Sequence, residues 1–262
     1  MVLITEKSLR QLYLKQKLPK EYPLKDGDRL TPSARDFLLE HKIRITHIPK
    51  GLEEKNHSSI LIPVGVSNRH VHLSVEHFQV LFGDTADLTE ERHLSQPGQF
   101  AAREAVTIVG SKGVLQNVRI LGPFREQTQV EVSRTDGFKL GIHPPIRLSG
   151  SIDGTPGITI VGPKGCVTID KGLIVAKNHV HMSLKEAKEL DVQNGDSIIL
   201  LSEERSIIFY DVIARVKESY VLDFHLDQDE ANAAQLTTRD KVRMIGKNHR
   251  LFSTFVGVER HG

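Results

Sequence analysis

The chain has 262 residues, of which 39% are apolar and 26% charged, the composition of an ordinary globular protein. Its 35 basic and 33 acidic residues give a formal charge of +2, too small to indicate a nucleic-acid surface. A single cysteine, Cys166, excludes an internal disulfide and fits a reducing compartment. No signal-peptide core or membrane-length apolar run occurs, so we expect a cytoplasmic protein with no nucleic-acid and no membrane partner.

The first 59 residues predict a small helical module that ends in a linker. Thr5 is a good N-cap for a first helix. Thr31 as N-cap, with Pro32 at the first helical position, predicts a second helix. Residues 43–45 predict a short strand, and the polar stretch 49–59 is typical of a linker. Because no motif here carries chemistry, we interpret this part as a packing or docking module.

From residue 60 the chain changes to short apolar strands separated by glycine and proline. Many short strands at close spacing favour β-barrels or sandwiches over a parallel α/β sheet. The clearest strands are 105–109, 128–132, 158–161, 197–201 and 206–210. We therefore expect a mainly β protein (α+β overall). In it, Cys166 stands at a strand start and is interpreted as a small buried residue, not as a nucleophile.

The motif His-Val-His occurs twice, as His70 with His72 and as His179 with His181. In an extended strand residues i and i+2 share a face, so each copy holds two imidazoles side by side. Two imidazoles in that arrangement are half of a site for a divalent metal such as zinc. A single His-x-His is often only a surface pair. The duplication favours two related domains that each bring two histidines to a shared metal centre.

A helix start follows each copy of the motif. Ser183 and Glu186 form a predicted capping box, and the serine after the first copy opens the equivalent helix. Glu76 and Glu186 are therefore expected in first turns of helices and not as metal ligands. A second repeat, Gly-x-Lys-Gly, predicts two hairpin turns and supports the duplication; it occurs at 110–113 and 162–165.

Further groups that could complete a metal or anion site lie outside the two copies. At the end of 122–133, polar and apolar residues alternate from 129 to 133, which predicts a half-buried strand. If its polar face lines a cleft, Glu131 is an oxygen ligand and Arg125 a fork for an anion; if the face is solvated, both are surface residues. His225 offers a fifth imidazole, although the acids after it also predict a helix start capped by Asp227.

Together these motifs resemble the phosphate propanoyltransferase family, the phosphotransacylases of bacterial microcompartments. The resemblance spans about residues 62–234 and rests on the motifs at 64–74, 94–100, 122–133, 156–165, 178–183 and 229–233. It implies two small β-barrel domains related by duplication, which we assign to 60–150 and 151–262 after the module and linker of 1–59. It also implies interconversion of propanoyl- or acetyl-CoA plus phosphate with acyl phosphate plus coenzyme A.

The resemblance further implies which residues form the site. Two zinc ions per chain would be held by His70, His72, Glu131, His179, His181 and His225. Arg125 would be the catalytic residue that holds phosphate. Phosphate would attack the thioester directly, which fits a sequence without a nucleophile elbow or a Ser-His-Asp order. Where the family usually has an acidic residue, this chain has Leu148, a departure that affects a local hydrogen bond or turn.

Other readings of the sequence remain open at this point. The spacing from His70 and His72 to Glu76 also matches a double cupin, a metal-dependent oxygenase or isomerase. A non-catalytic zinc-storing or shell-docking protein is the third class. The resemblance suggests residence in a bacterial microcompartment, with shell or cargo proteins and a second copy of the chain as candidate partners. Phosphate-dependent conversion of acyl-CoA separates the first reading from the other two.

Overall fold

The computed structural model describes residues 2–15, 18–25, 27–48 and 60–252, which form one unit before residue 58 and another after it. The predicted linker and residues 253–262 lie outside the described residues. The predicted domain limits at 59/60 and 150/151 stay a prediction.

The N-terminal unit contains both predicted helices. Its elements are β1 (Leu3–Ile4), α1 (Glu6–Leu14), β2 (Glu21–Lys25), β3 (Arg29–Leu30), α2 (Pro32–Glu40) and β4 (Arg44–Ile48). Thr5 and Thr31 are the N-caps, since their side-chain oxygens accept from backbone N–H groups three residues later at 3.3 and 3.2 Å. β1 pairs with β3 and β2 with β4, both parallel. Only the last of these strands was predicted.

The second unit is built of short strands with four short helices. The strands are β5 (Leu61–Ser67), β6 (His70–His72), β7 (Glu90–His93), β8 (Phe100–Val109), β9 (Val114–Gly122), β10 (Gln129–Glu131), β11 (Ile146–Arg147), β12 (Ile158–Val161), β13 (Cys166–Ile169), β14 (Leu173–Ala176), β15 (His179–Met182), β16 (Ser197–Ser202), β17 (Ile207–Val216), β18 (Asp223–Asp227), β19 (Lys241–Lys247) and β20 (Arg250–Leu251). The helices are α3 (Val75–Phe82), α4 (Arg134–Leu140), α5 (Leu184–Leu190) and α6 (Gln228–Ala234). No helix in the described ranges is long and apolar enough to span a membrane.

Two sheets carry this unit. Six strands close into a barrel in the order β16-β17-β15-β18-β5-β19, because β19 also pairs with β16. The other sheet has nine strands and forms a half-barrel in the order β11-β14-β10-β6-β9-β8-β12-β13, with β7 added to β8. Each encloses its own apolar core, centred on Phe224 in the barrel and Phe78 in the half-barrel. The mainly β fold with two barrel-like domains is confirmed.

The two sheets exchange the strands that lead into the His-Val-His motifs. β5 precedes the first motif but pairs with β18 of the barrel, where Gly65 lies opposite His225. β14 precedes the second motif but pairs with β10 of the half-barrel, where Ile174 lies opposite Glu131. Each sheet therefore contains strands from both sides of residue 150.

Two expectations need correction. Cys166 is exposed at the start of β13, so it is not a small buried residue. The Gly-x-Lys-Gly hairpins are present, but both lie in the half-barrel, where β8 and β12 are neighbours. This repeat therefore does not follow the duplication that the His-Val-His motifs follow, and it reflects only a common turn.

The exchanged strands predict that the barrel and the half-barrel unfold together. Phe224→Ala removes a fully buried ring from the barrel and should lower the free energy of unfolding by about 3–5 kcal/mol. Hydrogen-exchange mass spectrometry should then show equal loss of protection in β16–β17 and in β8–β9.

The matched control is Leu184→Ala, because that side chain is 60% exposed on α5. This change should alter protection by no more than about 0.5 kcal/mol. A loss of protection confined to the barrel strands in Phe224→Ala would contradict coupled unfolding.

Candidate metal centre and anion site

The first candidate metal group joins β6 and β10. His70 and His72 alternate on β6 with Val71, which is fully buried in the half-barrel core. The antiparallel register sets Glu131 of β10 opposite His70. The Glu131 carboxylate lies 3.4 Å from His70 Nε2 and 4.0 Å from His72 Nε2. Ligand atoms of all three lie within 4.8 Å of one another, close enough to converge on one ion with bonds of about 2.1 Å.

The second group repeats this arrangement in the barrel. His179 and His181 alternate on β15 with the buried Val180, and β18 sets His225 opposite His179. The ring centroids of His181 and His225 are 4.7 Å apart, and ligand atoms of the three histidines again lie within 4.8 Å. The structure thus brings together, in two groups, all six residues that the family resemblance implied. That they bind metal stays a prediction.

Matching side-chain contacts tie each His-Val-His copy to the helix that follows the strand of the third residue. Arg69, just before His70, makes two 2.9 Å contacts to Asp136 in the first turn of α4, the helix after β10. Asn178, just before His179, donates to Glu230 of α6 at 2.6 Å. Asp227 caps α6 as predicted.

Two observations test whether these residues fit a bound metal. Nδ1 of His70 and Nδ1 of His179 each lie 2.8 Å from the carbonyl oxygen two residues earlier, which can only accept. Both rings therefore carry the proton on Nδ1 and leave the Nε2 lone pair free, as metal-binding histidines require. Both ring nitrogens of His181 are buried without a hydrogen-bond partner in the described chain. A zinc ion fits this donor set.

Burial favours the neutral form of His179 and His181, so the lone pairs of these two imidazoles are available. Burial, with help from His179 and His225, lowers the pKa of His181 to about 2. Burial and His225 lower the pKa of His179 to about 4. Burial opposes ionisation of Glu131, but His70, His72, the Ser149 hydroxyl and Arg125 together lower the pKa of that carboxyl to about 2. An anionic carboxylate and imidazoles with available lone pairs suit a divalent metal.

Arg125 is held beside the first group by backbone and side-chain contacts. Its backbone N–H donates to the carbonyl of Leu73 at 2.9 Å, just after the first motif. Its Nη1 donates to Ser149 Oγ at 3.0 Å, and Ser149 donates in turn to Glu131 at 2.7 Å. Gln129 donates to Glu131 at 2.6 Å and to Ser149 at 2.9 Å. The polar face of this strand therefore lines the site, as the cleft alternative required.

Several residues of the site were missed by the sequence reasoning. Ser149 connects Arg125 to Glu131 from a turn that no local motif marks. Arg215 of β17 lies opposite His181 in the sheet, so it shares that face, and its charge adds to the burial that lowers the pKa of Arg125. Leu148 sits in a turn closed by its own carbonyl, which accepts from Ser151 N at 2.9 Å, so this turn needs no acidic side chain.

A loop between β7 and β8 crosses to the second group. Ser95 Oγ lies 3.4 Å from His225 Nε2. Gln96, almost fully buried, donates to the carbonyl of Val221 at 2.9 Å and accepts from its N–H at 3.2 Å. These two hydrogen bonds hold a loop of the half-barrel against the barrel beside the candidate metal groups.

The glutamates that a cupin would need do not join either group. Glu76 is exposed in the first turn of α3. Glu186 accepts from Ser183 N at 2.8 Å in the capping box of α5. The expected helix starts after both motifs are confirmed, and the cupin ligand set is not assembled.

Comparison with known proteins gives one consistent result. The family model for phosphate propanoyltransferase matches residues 63–237. A phosphate propanoyltransferase of Thermotoga maritima is 54% identical over 186 residues, 70% of this chain and 89% of the relative. Those of Lachnoclostridium phytofermentans and Alkaliphilus metalliredigens are 48% and 43% identical, covering 74% and 77% of this chain and 92% and 95% of the relatives.

The lowered pKa values predict how the metal-free protein responds to pH. Folded His179 and His181 titrate at about 4 and about 2, below the ordinary 6.5, so the unfolded chain binds more protons as pH falls through this window. Stability should therefore fall from pH 6.5 to about 4, by at most about 1.4 kcal/mol per pH unit for each histidine.

Urea unfolding of the chelated protein across that range measures the slope. His181→Gln keeps a polar side chain of similar size but cannot titrate, so it should flatten the dependence. An equal slope in this variant and in the wild type would contradict the assignment.

Proposed function

The chain belongs to the phosphate propanoyltransferase family, and we propose that it converts acyl-CoA and phosphate to acyl phosphate and coenzyme A, reversibly, at the two histidine groups. The protein is an acyltransferase. The observation that supports the mechanistic proposal is the chain of contacts from Arg125 through Ser149 to Glu131, which holds a guanidinium beside the first candidate metal group.

Two zinc ions are the proposed cofactors, one held by His70, His72 and Glu131 and the other by His179, His181 and His225. Bound there, zinc would supply Lewis-acid polarisation of phosphate and thioester oxygens.

Arg125 is proposed to bind and orient inorganic phosphate. Among the described residues only Ser149 accepts from its guanidinium, so most of its five N–H donors remain for an anion. Half-buried Arg215 supplies a second positive charge nearby, which favours a multiply charged oxyanion. Phosphate held in this way would attack a bound thioester in an effectively unimolecular step, which is faster than a bimolecular encounter.

The proposed chemistry needs no protein nucleophile. A phosphate oxygen forms the new bond to the thioester carbonyl carbon, the carbon–sulfur bond breaks, and the coenzyme A thiolate leaves. The only thiol of the chain, Cys166, is exposed on β13 and belongs to neither group. Near Arg125, the Ser149 hydroxyl donates a hydrogen bond to the Glu131 carboxylate.

A cupin oxygenase or isomerase is not favoured, since Glu76 and Glu186 take part in helix starts. Residence in a bacterial microcompartment, contact with shell or cargo proteins and homo-oligomerisation are proposals that rest on the family resemblance. The N-terminal unit lies outside residues 63–237, the range that the family model matches, and is the natural place for such contacts.

The proposal predicts that thiol release from propanoyl-CoA depends on phosphate and on metal. Release should stop after chelation and return with added zinc. His70→Ala and His179→Ala should each lose about one of two bound zinc ions and abolish turnover, because each leaves two donors in one group. Full activity of the chelated protein would contradict metal assistance.

Arg125→Ala separates phosphate binding from metal binding. We expect zinc content to remain and the KM for phosphate to rise about 10- to 100-fold, the value of a lost charge-assisted hydrogen bond. The control is Arg147→Ala, because exposed Arg147 donates only to the neighbouring Ile146 carbonyl in the described chain. A KM for phosphate unchanged in Arg125→Ala would remove the role assigned to it.

A further inference from the structure

A buried carboxylate lies directly beside the second histidine group. Asp223 is 5% exposed and precedes His225 by two residues on β18, so both side chains share one face of the strand. The register sets Asp223 opposite His181, and its Oδ2 lies 2.9 Å from His225 Nε2. The carboxylate therefore contacts a candidate ligand on the face of β18 opposite to Phe224, which packs in the barrel core.

The described residues offer Asp223 no other charge partner. No lysine or arginine among them lies within 4.0 Å of its carboxylate, and an unpaired buried carboxylate is costly. Because an ionised carboxylate only accepts, His225 Nε2 must donate and the free lone pair sits on Nδ1. Asp223 lies outside the group of three histidines, so it acts through His225.

The first group has an equivalent residue in the same place. Gln129 precedes Glu131 by two residues, lies opposite His72 in the register, and donates to Glu131 at 2.6 Å. In that group a neutral amide supports an anionic ligand. In the second group a carboxylate supports an imidazole. Each group thus has one carboxylate at hand. In the first group it is a candidate ligand, Glu131, and in the second it is Asp223, which contacts a candidate ligand.

Gly65 makes room for this arrangement. It lies opposite His225 on the exchanged strand β5. A Cβ at this position would stand 2.7 Å from Asp223 Oδ2 and 3.0 Å from His225 Cδ2. A side chain here would displace the carboxylate, the imidazole or both.

We propose that Asp223 is a positioning residue that fixes the tautomer and orientation of His225 and supplies the second metal group with its negative charge. This inference rests on the proposed function, because it presumes that the group binds zinc. Carboxylate–histidine pairs of this kind orient the ring and make the imidazole a stronger donor.

Zinc affinity, measured by competition with a chromophoric chelator, tests the proposal. In the full chain, Asp223→Ala should weaken one of the two zinc equivalents about 10- to 100-fold and leave the other unchanged. Asp223→Asn keeps a hydrogen-bond acceptor but loses the charge, so its zinc affinity should fall less than that of Asp223→Ala. The control is Asp153→Asn, because exposed Asp153 pairs with Lys171 and with no other charged residue that the structure describes.

A second readout follows the ring itself. In the metal-free wild type, ¹⁵N NMR should report His225 as the Nε2–H tautomer, and in Asp223→Ala a mixture of tautomers. If Asp223→Ala does not fold, Gly65→Ala should weaken the same zinc equivalent by displacing the carboxylate.

The outcomes are distinct. Two zinc equivalents of unchanged affinity in Asp223→Ala would overturn the role of Asp223 while leaving the proposed function intact. A wild type that binds no zinc would instead remove the proposed metal centre. Equal weakening of both equivalents would also overturn the inference, because Asp223 contacts only the second group.

Discussion

The pairing of β6 with β10 and of β15 with β18 determines the geometry of the whole site. In both pairs a valine faces an apolar core and the histidines on either side of it face the site. Because side chains alternate along a strand, a slip of one residue would turn Glu131 or His225 into the core. Burying those groups there is unfavourable, so the packing of Val71 and Val180 holds the ligands in place.

The electrostatics of the site follow from the same burial. Removing the imidazoles from water favours their neutral form, and this is the form that can bind a metal. The histidines, Ser149 and Arg125 around Glu131 lower the pKa of its carboxyl to about 2, so the group is anionic despite its burial. Within the described residues the fold therefore keeps buried polar atoms without hydrogen-bond partners, such as both ring nitrogens of His181. Such a departure is expected where a protein binds a ligand.

Local patterns predicted the parts of the structure that depend on local physics. The helix starts at Thr5, Thr31 and Ser183 follow from capping, which involves residues three positions apart. The paired histidines follow from the period of a strand. Ser149, Arg215 and Asp223 could not be found in this way, because their roles arise from strand neighbours far away in the sequence. The Gly-x-Lys-Gly repeat wrongly supported the duplication. A local turn sequence can occur twice without a duplicated domain, and both of these turns lie in the half-barrel. The ligand set itself was proposed from family resemblance, and the strand register explains why those six residues meet.

The exchange of β5 and β14 has a consequence for how the two halves are joined. A cut near residue 150 would leave each half without the strand that its third ligand pairs with, Gly65 opposite His225 in one and Ile174 opposite Glu131 in the other. Two separate fragments would have to find each other in solution to restore these pairs. In one chain the missing strand is always supplied at the high effective concentration that a covalent tether provides. The connecting polypeptide thus acts as an intramolecular partner, so the assembly of both histidine groups should not depend on protein concentration.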